Sequence, residues 1–341
     1  MDGNAFSRRR FAVSVSRACV IAAGSAGLFG WAYRRQKRSK SVAAFSLSAL
    51  EGRFRKVDQT GAPRLAVVRD KSILKSPGAQ PDAEALDAAL RRAFDALGGI
   101  DRFVRPGDAV LIKPNAGFAA HPSTGAVTDP GVVAAVIRQV KQAGAERVLV
   151  TDNPIATPHL VFERTGLRRA VEEAGGLLLV PSKTLFKRVV VPEAEVLPAW
   201  RVLIEPFLRV QVVIGIAAVK DHNLCGASLT LKNWYGLLGG RRSRFHQHID
   251  ETLCDLWRLV APACPLLVLD GLRALMRNGP TGGSPRDVVI RNTLAIGTDH
   301  VATDSFGVTL LDRDPEAISY LKRAEDAGFG TMAYQDVWKE V

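Results

Sequence analysis

The chain is poor in sulfur and in aromatic rings. Its 341 residues hold four Cys and three Met, and Phe, Trp and Tyr make up only 7%. The cysteines stand at 19, 225, 254 and 264 with no C-x-x-C spacing. That excludes a self-contained iron–sulfur cluster and a Cys-rich zinc site. For the later cysteines two readings stand, a Cys254–Cys264 disulfide or buried free thiols. No P-loop ending in Gly-Lys-Ser/Thr is present, no Gly-x-Gly-x-x-Gly follows the first strand, and no Gly-x-Ser-x-Gly occurs. These absences disfavour classical ATP and dinucleotide sites and a hydrolase nucleophile elbow. Acids are also in the minority, 34 against 46 Lys and Arg, for a net charge of +12. The imbalance is local. Residues 1–60 carry 12 Lys and Arg against three acids, and the other 281 residues carry 34 against 31. A nearly neutral body argues against a nucleic-acid partner, which would need its basic residues on the folded domain. With 47% hydrophobic and 23% charged residues, the chain is ordinary globular material, long enough for a substantial core.

The basic N-terminus has an address-like pattern. Ser7-Arg8-Arg9-Arg10-Phe11 resembles the twin-arginine export motif, although Val13 stands where a Lys is common and Arg17 interrupts the apolar start. The uncharged run Ala18–Tyr33 has 16 residues, short for a membrane span of about 20 but suited to a signal segment. The five Lys and Arg between Arg34 and Lys40 leave open whether the leader is cleaved or stays as an anchor. The alternative is a basic arm with a chance apolar run. The expectation is a signal or membrane anchor over residues 1–40 and a linker over 41–63. The α/β domain over 64–341 is then periplasmic or held at the inner membrane through the N-terminus.

From residue 65 the sequence alternates short apolar runs with helical periodicity. Strands are predicted at Leu65–Val68, Asp108–Ile112, Arg147–Val150 and Leu177–Val180. Later strands are expected at Val210–Ile216, Pro265–Leu269, Val288–Arg291 and Leu294–Ile296. Helices are predicted after Asp82, after the Asp129-Pro130 cap, over His159–Ala174 and over 300–312 and 315–326. All-apolar strands in β–α–β order give an α/β fold, a largely parallel or mixed sheet with helices on both faces, in one compact body. An inserted lobe is expected near 181–205. Ligands of such sheets bind at the carboxyl edge of the strands.

Polar residues follow several predicted strands: Lys113 and Asn115, Asp152 and Asn153, Lys220 through Asn223, Asp270, and Asp299 with Asp304. Singly, such an Asp or Asn is most often a turn former or helix cap. Together they would converge on one edge. Lys232 lies in the apolar run Leu229–Leu238 and needs an anion partner or a route to solvent. Lys113, Lys220 and Lys232 are therefore candidate anion holders, with Asn115, Asn233 and the Gly279–Gly283 loop as further contacts. His222 and His246 are candidate acid–base groups, with Asp270 beside them, or metal ligands together with Asp304. His246-x-His248-x-Asp250 would present three ligands on one face if extended, whereas Asp250 also suits a helix cap.

The ordered series Lys113-Pro-Asn115, Lys220-x-His222, Thr230-Leu-Lys232-Asn233 with Gly236, His246, Leu269-Asp270-Gly271, Gly279-Pro280-x-x-Gly283 and Asp299-x-x-Ala302-x-Asp304 resembles the domain-of-unknown-function 362 family, DUF362. The resemblance runs from about residue 65 to 326. It implies site roles for Lys113, Asn115, Lys220, His222, Lys232, Asn233, His246, Asp270, Gly279, Gly283 and Asp304; His248 falls outside it. Family members are largely uncharacterised, some have twin-arginine leaders, and many have ferredoxin-like Cys clusters. This chain has no such cluster, so a redox role would need an electron-transfer partner protein. Three functions stay open: an enzyme acting on a small anionic substrate or cofactor, a non-catalytic protein that binds or delivers a metal or anionic cofactor, and an assembly factor with a vestigial pocket.

Overall fold

The computed structural model describes residues 52–57, 63–191, 193–281 and 284–341. The leader expected over 1–40, most of the linker expected over 41–63, and Gly283 lie outside the described residues. No described helix is long and apolar enough to cross a membrane.

The first half is a run of β–α units. It comprises β1 (Leu65–Arg69), α1 (Ala83–Ala96), β2 (Ala109–Lys113), α2 (Pro130–Gln142), β3 (Arg147–Val150), α3 (Pro158–Arg164), α4 (Leu167–Glu173) and β4 (Leu177–Leu178). The caps read from the sequence hold: Asp82 accepts from the Ala85 amide at 2.9 Å and Asp129 from the Gly131 amide at 2.8 Å. The helix expected over His159–Ala174 is split in two, because Gly166 takes a left-handed conformation with φ 73° and restarts the chain as α4.

An antiparallel pair, β5 (Phe186–Val190) and β6 (Ala199–Leu203), forms a separate two-stranded sheet in the region expected as an inserted lobe. The chain then returns through β7 (Val212–His222), β8 (Gly226–Ser228), the one-turn α5 (Thr230–Asn233), α6 (Ile249–Val260), β9 (Leu266–Leu275), β10 (Val288–Gly297), α7 (His300–Thr309), α8 (Ser319–Asp326) and β11 (Trp338–Glu340). The main sheet has the order β11-β1-β10-β9-β7-β2-β3-β4, with β8 paired to β7. β4, β3, β2, β7 and β9 run parallel, and β10 lies antiparallel to both of its neighbours, β9 and β1. The fold is therefore the expected mixed, mostly parallel α/β sheet.

Strand alternation sends side chains to two cores. Val110, Ile112, Ile214 and Val268 join Leu90, Phe94, Val133 and Ile137 on one face. Leu111, Val213, Leu267 and Leu269 join Leu253, Trp257, Phe306 and Tyr320 on the other. Period-two alternation and helices on both sides bury both faces of the parallel strands.

Two strands are longer than their apolar runs predict. β7 continues through Lys220 and His222 because β8 folds back onto it, pairing Lys220 with Ser228 and His222 with Gly226. β9 continues past Asp270 to Leu275, paired to β10. Lys220, His222 and Asp270 thus sit within strands rather than in loops after them. Val288–Arg291 and Leu294–Ile296 are one strand, interrupted in register near Asn292, whose φ is 47°. Cys225, Cys254 and Cys264 are buried free thiols, so the disulfide alternative is set aside.

Candidate functional site: a cation cluster at the strand carboxyl edge

β2 ends in Lys113, β3 runs into Asp152, and β7 carries Lys220 at its far end; all three side chains are buried. Lys113 Nζ is 2.7 Å from Asp152 Oδ1 and 2.8 Å from Asn233 Oδ1. Asn233 ties α5 to the sheet by donating from Nδ2 to the carbonyls of Lys113 and Ile216, each at 3.1 Å. Lys220 Nζ donates to Asn115 Oδ1 and to the Ala126 carbonyl, each at 2.6 Å. Two lysines are therefore solvated by neutral oxygens, and one carboxylate serves the pair.

Lys232, on α5, is only 9% exposed. Its Nζ stands 4.2 Å from the centre of the Tyr235 ring. Among the described residues it has no hydrogen-bond acceptor and no ion-pair partner. Arg242 joins the group, donating to the Asn153 carbonyl at 2.9 Å and the Gly236 carbonyl at 3.2 Å. Tyr235 also stacks on His246, with centroids 5.1 Å apart.

Burial and crowding by like charge act together on these groups. Burial lowers Lys220 to about 7, helped by the neighbouring ammoniums of Lys232 and Lys113 against the pull of Asp152. Burial lowers Lys232 to about 8, opposed in part by the sulfur of Cys225 and helped by Arg242 and Lys113. Lys113 and Arg242 also move down, chiefly by burial. His222 falls to about 3 through burial and the fields of Lys232 and Lys220. It is therefore neutral, and its Nδ1 accepts the Leu224 amide at 3.2 Å, which leaves the proton on Nε2 as a donor. His246 is lowered by burial and by Lys232 and Arg242. Four cationic side chains and two neutral imidazoles thus share one carboxylate.

Gly236 makes the packing feasible. A Cβ there would lie 2.6 Å from Asp152 Oδ1 and 3.0 Å from Lys113 Nζ.

The other residues singled out in the sequence hold up this site from outside. Asp304 lies in α7, and its carboxylate receives the Thr230 amide at 2.8 Å, the Thr230 hydroxyl at 2.5 Å and the Leu231 amide at 2.9 Å. It anchors the start of α5 and is not free to join His222 and His246. The expected metal triad is corrected on that ground, and among the described residues no group of three His, Cys, Asp or Glu could hold a metal ion. The His246–His248–Asp250 alternative fails for a related reason. Arg242–His248 is a 3-10 turn and not an extended strand, and Asp250 lies inside the first turn of α6 bonded to Ser319.

Asp270 receives the Asp129 amide at 2.7 Å and the Leu272 amide at 3.2 Å. Burial and the nearby Asp129 carboxylate raise it. Asp129 itself pairs with Arg273 at 2.6 Å. Asp270 therefore fixes the start of α2, and among the described residues no hydrogen bond or ion pair links it to either histidine. The amide of Gly279 is taken by Asp221 Oδ2 at 3.0 Å, so it does not offer a free anion nest. Gly279 is required there, since a Cβ would fall 1.9 Å from the Asp221 carbonyl oxygen. Asp299 caps α7 through the Ala302 amide, the commoner role of an Asp after a strand.

The structure thus gathers Lys113, Asn115, Lys220, His222, Lys232, Asn233 and His246 in one place. It adds Arg242 and Tyr235, which pattern reading missed. The only sequence signal for Arg242 is its place just after the Gly239-Gly240 turn.

The comparisons with known proteins cover the same region. The thylakoid-associated protein sll1697 of Synechocystis sp. is 29% identical over 283 residues, 78% of this chain and 82% of that protein. The lactate racemase apoprotein of Thermoanaerobacterium thermosaccharolyticum superposes with a TM-score of 0.36 at 10% identity, over 74% of this chain; the chain spans 58% of that protein's length. The family described as Domain of unknown function (DUF362) matches residues 110–309. That span runs from β2 through α7 and includes every member of the cation cluster, and the chain belongs to the DUF362 family.

Proposed function

We propose that this protein binds a small, multiply charged anion at the carboxyl edge of β2, β3 and β7. Lys232, Lys220 and Arg242 supply the charge, and His222 Nε2–H and Asn115 serve as neutral donors. The observation that carries this reading is Lys232, a residue only 9% exposed whose ammonium stands among three other cations and has no acceptor among the described residues. Burying an unpaired charge costs several kcal/mol after relaxation, and a bound anion offsets that cost for the whole cluster. Phosphate, sulfate-like and carboxylate groups fit this chemistry.

Lys220, lowered to about 7, lies in the range where an amine both takes and gives a proton near neutrality. An enzyme using it as the acid–base group on the bound anion is the second reading. A redox role rests only on the family resemblance and would need an external electron carrier. For location we infer association with a membrane or the cell envelope. The twin-arginine-like leader supports this, as does the name of the thylakoid-associated relative.

Native mass spectrometry of the full-length chain, purified without added phosphate or sulfate, tests the binding reading. A small anionic molecule retained by the wild type and absent from Lys232→Met supports it. Equal retention in both proteins refutes it.

A further inference from the structure

Beside the buried cations opens a groove of about 610 Å³. This is far more room than a lone phosphate or sulfate needs, and it falls in the range of sites for small organic ligands. Its basic lining consists of Lys183, Arg201, Arg241, Arg242 and His246, and among the described residues that line it none is an acid. Lys183, Arg201 and Arg241 have no carboxylate partner among the described residues. Such uncompensated charge in a concave wall concentrates anions.

The groove also has an organic side. Ile155 is 69% exposed, and the half-buried Phe186 lines the same space. One wall is the β5–β6 pair, locked in place by Gly239. Its amide donates to the Arg201 carbonyl at 2.8 Å, and its carbonyl accepts Trp200 Nε1 at 2.8 Å. A Cβ at Gly239 would lie 2.8 Å from Phe186 Cδ1, so the close approach that shapes the wall depends on glycine. The inserted lobe, otherwise without a role, thereby builds a binding surface. Arg242 and His246 belong both to the groove and to the buried cluster, so the groove borders the cluster.

Building on the function proposed above, we propose that the ligand is an organic molecule with two separated anionic groups. One group sits among Lys220, Lys232 and Arg242, the apolar body lies along Ile155 and Phe186, and the second group meets Arg201 and Arg241. A phosphate on a soluble metabolite and a phosphate in a lipid headgroup share this chemistry; the groove is assigned to the soluble form.

Calorimetric titration of the full-length chain with inorganic phosphate, hexyl phosphate and hexanediol bisphosphate tests this. The bisphosphate is expected to bind about tenfold more tightly than hexyl phosphate, since two arginines meet the added charge. The exposed double variant Arg201→Gln/Arg241→Gln should erase that difference and leave inorganic phosphate binding unchanged, while Lys232→Met should weaken all three. Equal binding of bisphosphate and hexyl phosphate to the wild type, with phosphate still bound, overturns the groove assignment and leaves the anion site standing. No binding of any probe overturns both. Binding to phosphatidylglycerol vesicles that depends on Arg201 and Arg241, without binding of the soluble bisphosphate, overturns the assignment to a soluble ligand.

Discussion

Lys113 and Asp152 form a buried ion pair, Nζ to Oδ1 2.7 Å, with the two side chains 0% and 2% exposed. The same carboxylate receives the Ala116 amide at 2.7 Å and the Asn153 amide at 2.8 Å. Asp152 thus holds the β2 and β3 edges together as it offsets the charge of the cluster.

Removing that carboxylate should be costly and removing the unpaired cation should not. Asp152→Ala leaves the cluster without its anion and is expected to destabilise the fold by about 3–5 kcal/mol. Lys232→Met removes a nearly buried charge that has no partner among the described residues and is expected to raise stability by about 1–3 kcal/mol. Urea unfolding in anion-free buffer measures both; a large loss in Lys232→Met would mean that the ammonium already has a compensating partner.

The lowered lysines set a pH dependence. Lys220 is lowered from 10.5 to about 7 and Lys232 to about 8. Between these values and 10.5 the unfolded chain holds more protons than the folded one, so stability rises with pH. The rise should be clearest from pH 7 to 9. Above that the opposite effect enters, because Cys225, Cys254 and Cys264 are raised from 9.0 to about 12 by burial and their loss of protons favours the unfolded chain. Chemical unfolding at several pH values should show the rise in the wild type and a shallower one in Lys220→Met.

Gly236→Ala puts a methyl group against Asp152 and Lys113. The expected cost is about 1–3 kcal/mol, as for other overpacked sites, together with weaker anion binding. An Ala variant that binds phosphate like the wild type would show that the Lys113–Asp152 pair can shift without affecting the site.

Asp304 should behave as an anchor of α5 and not as a metal ligand. Asp304→Ala strands the Thr230 and Leu231 amides and should lower stability by about 1–3 kcal/mol. Because Lys232 sits on the same turn, phosphate affinity should fall as well. A variant whose only change is the loss of a bound divalent metal would restore the triad reading.

Much of the scaffold was legible in the sequence for local reasons. Asp82 and Asp129 sit where side-chain caps must sit, and the apolar strands show as short runs because the sheet is buried on both faces. Lys113, Lys220, Lys232 and Asn233 were legible as polar residues in or just after such runs, where burial demands a partner. The rest depended on pairing that no local pattern reports. β7 reaches His222 because β8 returns onto it and β9 runs beside it as far as Lys220, and β9 passes through Asp270 because β10 and β7 flank it. Asp270, Asp304 and Gly279 read as site residues because anchors and ligands share the same chemistry. Only the partners, the Asp129, Thr230 and Leu231 amides and the Asp221 carboxylate, tell the two apart. Arg242 lies in a 3-10 turn with no periodicity, so nothing in the sequence pointed it toward Asn153.

The central claim is that the cations at the strand edge bind an anion, and calorimetry with sulfate at pH 6.5 and pH 8.5 tests it most directly, since the charge of sulfate is constant over that range. One site per chain is expected, weaker at pH 8.5 as Lys220 and Lys232 lose their protons, and lost in Lys232→Met while the fold persists. Absence of binding at pH 6.5, or an affinity that ignores both pH and Lys232, would contradict the account.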